Sequence, residues 1–182
     1  MPDLYFCDGK GSHGKNSASV KAAGGMSDDR CLGDVQGAIA FLFLLPYHND
    51  KVGVIVYCSG SRQAYLTVCK LPGIDAAVSG YGGGVAAPPE ELTERQSVAP
   101  IDFTETLVCS LLEFFEKEDK RPSSADAAKT EEALKRFNKT YEFHSYENAG
   151  HAFFSADRSS YRQEAAVDGW EKVFDWFGRY LT

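Results

Sequence analysis

Four short runs rich in β-branched and aromatic residues limit what this chain can fold into. They are KVGVIVY (51–57), GIDAAVSGY (73–81), LVCSLLEFF (107–115) and KTYEFHSY (139–146), and stretches of helical spacing follow or separate them. Strands alternating with helices predict an α/β fold, a mostly parallel sheet with helices on both faces. The first run reads as a strand buried on both faces.

Helices are expected over 28–45, 61–71, 124–138 and 161–181. In the first, Cys31, Val35, Ala38, Ile39, Phe41, Leu42 and Leu45 make one apolar face, and Asp28 and Asp29 suit its N-terminus. Ser123 or Ser124 is a natural cap for the third. The last is expected to turn Ala166, Trp170, Val173, Phe174, Phe177 and Tyr180 inward. Residues 6–28, rich in Gly, Ser, Lys and Asp without periodicity, read as an exposed loop. So does the Pro/Gly-rich stretch 82–102. With 43% apolar residues over 182 positions and no linker-like tract, residues 1–182 are expected to form a single domain.

The net charge of −7 argues against a nucleic acid or an anionic membrane as partner, since both need a basic face. The longest apolar run, AIAFLFLLP, is too short to cross a bilayer, and the first residues do not read as a signal peptide. Five cysteines, Cys7, Cys31, Cys58, Cys69 and Cys109, contain no C-x-x-C pair. An odd count without an export signal predicts reduced thiols and a cytoplasmic setting. No cofactor or metal is implied, and His13, His48 and His144 carry no catalytic or ligating pattern.

In an open parallel sheet, functional groups gather at the carboxyl ends of strands. Cys58, Asp119 and His151 each follow an expected strand, in the order nucleophile, acid, histidine. A thiol is only slightly ionised at neutral pH. An adjacent imidazole can take its proton, and a carboxylate on the other ring nitrogen orients that ring. The backbone N–H of Ser59 would face a developing oxyanion, and Gly60 would permit the strand-to-helix turn. Taken singly, each has a plainer use: Cys58 as a packed thiol, His151 bonded to a loop carbonyl, Asp119 as a surface charge. The G-x-nucleophile-x-G pattern is incomplete because Val56 stands where its first glycine belongs.

These segments resemble the dienelactone hydrolases, cysteine-dependent α/β-hydrolases that open lactones and cleave small esters. PDLY (2–5), KVGVIVYCSGSRQA, IDAAVSGYGG, FFEKEDKRPS, YENAGHAFF and SSYRQEAAVDGWEKVFDWF each resemble a segment of that family. The likeness implies an α/β-hydrolase-like fold and a triad of Cys58, His151 and Asp119. It also implies an N-terminally shortened domain, because PDLY lies well inside the family's own. Where the family commonly has an arginine after PDLY, this chain has Cys7. Val56 and Ser61 replace elbow glycines, and Glu116 stands where the acid loop usually has Gly. A shortened sheet would leave an open edge, so self-association into a homo-oligomer is expected.

The expected function is hydrolysis of small esters or lactones. The alternatives are a non-catalytic α/β-hydrolase-like protein that binds a ligand or partner, and a thiol-reactive protein without turnover. Tyr5, Tyr81, Phe153, Phe154, Arg158 and Tyr161 are candidate pocket residues, Arg158 for a substrate carboxylate.

Overall fold

All four expected strands form, and each neighbouring pair runs parallel. The computed structural model describes residues 2–117, 119–147 and 149–182. Helices α1 (His13–Ala22) and α2 (Asp28–Phe43) precede β1 (Gly53–Tyr57), α3 (Gly60–Lys70) and β2 (Ala76–Gly80). Then come β3 (Ser110–Glu116), α4 (Ser124–Arg136), β4 (Tyr141–Tyr146) and α5 (Gln163–Tyr180). The stretch between β2 and β3 carries only short 3₁₀ turns, Pro89–Glu91 and Pro100–Thr106.

The sheet order is β1-β2-β3-β4, so each crossover leads to the adjacent strand. Side chains alternate across the strands and build two apolar layers. Ala77 and Leu111 meet Ile39 of α2, Tyr65 and Val68 of α3 and Leu134 of α4 on one face. Ala76, Val78, Leu112 and Phe114 meet Val173 and Trp176 of α5 on the other. The result is a three-layer α/β architecture with the carboxyl ends of all four strands on one side. Ser123 caps α4 in a reciprocal capping box with Asp126.

Several expectations need correction. Residues 13–22 are helical, not loop. The segment HGKNSASVKA has one large apolar residue, Val20, so no stripe could announce the helix. It is held by Val20 packing with Met26, Cys31, Leu4 and Tyr5. The N-cap of α2 is Ser27, whose hydroxyl accepts from the Arg30 N–H. Asp28 instead pairs inside the fold with Arg62. Strand β1 is not covered on both faces. It is an edge, and Ile55 is 39% exposed. On α5, Trp170 (40%) and Phe174 (69%) face outward, while Ala166, Gly169, Val173 and Trp176 face the sheet. Two apolar stripes were available on α5, and the sheet covers one. At the end of α2, Phe41 and Leu42 are likewise exposed, so its inward face is narrower than the sequence suggested.

Within β3 the alternation also buries two acids. Glu113 is fully enclosed beside Ser79, its register partner on β2. Burial pushes its carboxyl up to about 8 from the usual 4.5, partly offset by the Ser79 hydroxyl hydrogen bond. The folded chain therefore holds one more proton than the unfolded chain between those limits. Stability from this site falls as pH rises from about 4.5 to 8 and is level above. Glu113→Gln should stabilise the fold by roughly 1–3 kcal/mol at pH 7 and by almost nothing at pH 4. Thermal unfolding at both pH values checks this, and an equal effect at the two would contradict it.

Candidate active site

Cys58 sits between β1 and α3 with φ 56°, in the left-handed region. For a residue with a Cβ this costs about 1–2 kcal/mol. Hydrogen bonds hold it there: the Cys58 N–H donates to the Gly80 carbonyl at 2.8 Å, and the Ser61 N–H donates to the Cys58 carbonyl at 3.1 Å. The strained dihedral thus falls on Cys58 itself. Val56 remains an ordinary strand residue, so the missing elbow glycine there is no obstacle. Gly60 is not a positive-φ glycine either. A Cβ there would stand 3.4 Å from the Cβ of Val56, an ordinary contact distance, so the turn does not demand glycine at 60.

Ser61 is fully buried and donates its hydroxyl to the Gly80 carbonyl at 3.2 Å. The space for it comes from Gly82, where a Cβ would lie 1.7 Å from the Ser61 Cβ. The glycine missing at 61 is therefore compensated across the turn after β2.

The loops after β3 and β4 bring the other two groups to Cys58. The His151 Nε2 lies 3.1 Å from the Cys58 Sγ, and its Nδ1 lies 2.6 Å from Asp119 Oδ2. Asp119 Oδ1 accepts from the Arg121 N–H at 3.0 Å, which fixes the carboxylate from its other side. Cys58 is exposed, His151 partly so, and the Asp119 side chain is nearly enclosed. The ring of Tyr81 meets the His151 imidazole edge-on, 5.2 Å between centroids. Ser59, at the N-terminal end of α3, places its backbone N–H where the helix presents open donors. Glu118 and Asn148, part of the two loop motifs, lie outside the described residues.

A cleft of about 630 Å³ opens over these groups. Tyr5 and Tyr81 line it, as do Cys58, Ser59 and His151. Phe153 does not. It is wholly buried against Tyr81, Ala149 and Ala152. Phe154 packs among Tyr57, Tyr81 and Trp170. Arg158 is exposed, and neither it nor Tyr161 is among the residues that line the cleft. The cations that do line it are Lys21 of α1, Arg62 of α3 and Arg121, with no acidic residue among the described lining. Arg62 is already satisfied, held by both Asp28 oxygens and the Val98 carbonyl, and Arg121 is paired with Glu91 at 2.6 Å. Lys21 was hidden from sequence reading because its helix carries no apolar stripe, and Arg121 because it sits in a charged run.

The buried thiols have a different character. Burial pushes Cys31 up to about 11 and Cys69 and Cys109 up to about 12. They are neutral packing groups. Among the described residues, Glu116, Asp119 and His151 offer three ligand-type atoms within 4.8 Å of one another. Two ligands of one zinc ion stand roughly 3.3 Å apart. The 2.6 Å between Asp119 and His151 is a proton-sharing distance instead.

A family model described as the dienelactone hydrolase family matches residues 1–181. The chain belongs to the dienelactone hydrolase family. A relative from Synechocystis sp., with the provisional name carboxymethylenebutenolidase, is 34% identical over 148 residues, covering 81% of this chain and 58% of its own. One from Methylorubrum extorquens with the same provisional name is 29% identical, covering 98% of this chain and 61% of its own. The chain thus spans about three-fifths of the length of these curated relatives. A crystal structure of a dienelactone hydrolase-type protein from Klebsiella pneumoniae superposes with a TM-score of 0.85 at 24% identity, over 98% of this chain and 74% of that one. That likeness supports the α/β-hydrolase fold of this dienelactone hydrolase family member. Among the described residues, no helix is long and apolar enough to cross a membrane.

The Ser61–Gly82 contact makes a testable demand on the elbow. Gly82→Ala should destabilise the chain by about 1–3 kcal/mol through overpacking. Adding Ser61→Gly should recover part of that loss. Denaturant unfolding of the single and double variants reads both effects.

Proposed function

We propose that this chain hydrolyses small esters or lactones with Cys58 as nucleophile, His151 as base and Asp119 as the orienting acid. The observation that carries this reading is the relay of 3.1 Å and 2.6 Å from Sγ through the imidazole to the carboxylate. The His151 Nε2 takes the thiol proton, and the thiolate attacks the substrate carbonyl carbon. The oxyanion that forms faces the Ser59 N–H at the head of α3. As the tetrahedral species collapses, the imidazolium returns the proton to the leaving alkoxide, and a thioester remains. Water then loses a proton to Nε2 and attacks the thioester, releasing the acid and restoring the Cys58 thiol. In a lactone, alcohol and acid leave as one opened molecule.

Lys21 in the cleft wall, with no carboxylate among the described lining, suits a substrate that carries an anionic group, whereas Arg121 also lines the cleft but is paired with Glu91 at 2.6 Å. Relatives' names point the same way. One from Bradyrhizobium sp., 30% identical over 162 residues, is named for lactonase action on a propanoate. Nitrophenyl acetate turnover should fall about 10³-fold or more in Cys58→Ala. Two folded proteins with equal background rates would reject the reading.

The open side of β1 supports a second expectation, association with another copy of the chain. Ile55 on the edge strand, and Trp170 of α5 against Tyr57 with Phe174 stacked on it, leave apolar surface exposed near that strand. Sedimentation at micromolar concentration should give a dimer or larger species. A well-folded monomer would refute it.

A further inference from the structure

Glu116, the last residue of β3, is 2% exposed, yet neither of its carboxyl oxygens receives a hydrogen bond. An ionised carboxylate in that position would be a buried acceptor with no donor, which costs several kcal/mol. A protonated carboxyl needs no donor and can itself donate. The neighbour within reach is Asp119, whose backbone N–H also donates to the Glu116 carbonyl at 3.2 Å.

Resting on the triad reading above, the geometry points to Glu116 as a positioning residue: protonated, it donates a hydrogen bond to the Asp119 carboxylate and holds it against His151. Asp119 is then gripped from three directions, by Glu116, by the Arg121 N–H and by the imidazole. Loss of the Glu116 proton would place two carboxylates side by side and release the grip.

The surroundings agree with a neutral acid. Tyr81 comes from the end of β2, and Tyr146 is the register partner on β4, with its hydroxyl committed to Asp168 at 2.6 Å. His151 and Asp119 come from the two loops. The ammonium of neighbouring Lys117 pairs outward with Glu147. Burial, then the Asp119 charge, then the hydrogen bond with Asp119 push the Glu116 carboxyl up to about 8. It is therefore mostly neutral at and below pH 7 and ionises around 8.

The test uses Glu116→Leu and Glu116→Gln, and its first readout needs no turnover. Iodoacetamide alkylation of Cys58 is followed by peptide mass spectrometry at pH 6.5, where an unassisted thiol is barely ionised, with exposed Cys7 as internal control. Glu116→Leu should slow Cys58 about fivefold to tenfold while raising the unfolding temperature, because a buried acid is removed. Glu116→Gln, still a neutral donor, should recover most of that rate. In the parent, the Glu116 carboxyl ¹³C resonance, assigned by its absence from Glu116→Gln, should titrate near 8. If esters are turned over, kcat should fall above that pH in the parent and not in Glu116→Gln, with KM unchanged. Parent-like alkylation in Glu116→Leu, a Glu116→Gln as slow as Glu116→Leu, or a carboxyl titrating below pH 6 would each overturn the inference. The expected alkylation pattern without ester turnover would uphold Glu116 and reject the hydrolase reading, so the two failures are distinct.

Discussion

The candidate site depends on one inverted backbone dihedral. Cys58 lies at φ 56° because the chain must leave β1, present a side chain at the sheet's carboxyl edge and enter α3 within two residues. Nothing local favours that conformation for a cysteine. It persists because β2 supplies the Gly80 carbonyl to the Cys58 N–H, and because Gly82 leaves room for Ser61 behind the turn. The neighbouring strand therefore carries the strain of the elbow. This explains how Val56 and Ser61 can stand where the family pattern has glycine.

The parallel order of the strands does the remaining positioning. Because all four run the same way, the loops after β1, β3 and β4 emerge on one side. Cys58, Asp119 and His151 are separated by 93 and 32 residues in sequence along the two bonded links, yet they meet within hydrogen-bond range. The same alternation that sends Leu112 and Phe114 into the α5 layer sends Glu116 under the relay. A residue at the end of a strand is where a sheet's interior meets its functional edge, so a buried acid there can act on the site without touching the cleft.

The two sides of the molecule differ in how completely they are covered. The β2–β3 centre is enclosed on both faces, with Ala76, Val78 and Phe114 at or near complete burial. Around β1, by contrast, Ile55 is 39% exposed and Trp170 of α5 is 40% exposed, and the Trp170 ring meets Tyr57 at the end of that strand. In α5, the sheet occupies one stripe, and Trp170 and Phe174 mark the other.

The sequence by itself determined the fold class, the strand and helix positions to within a few residues, and the order of Cys58, Asp119 and His151. Those features rest on local periodicity and on strand-end placement, which a chain displays in one dimension. It did not reveal α1, because HGKNSASVKA holds its helix through one buried valine and has no stripe to read. It chose too broad an inward face for α5, because hydrophobicity marks what can be buried and only packing decides what is. It assigned Phe153 and Arg158 to the pocket, whereas Lys21 and Arg121 line the cleft. Which loop residues converge on a cleft depends on how distant segments close over the sheet. Only the tertiary structure set the strain at Cys58, the room that Gly82 gives Ser61, and the burial of Glu116 against Asp119. The first two join residues more than twenty positions apart, and the third depends on how the loop after β3 turns back over the strand end; none leaves a periodic trace in sequence.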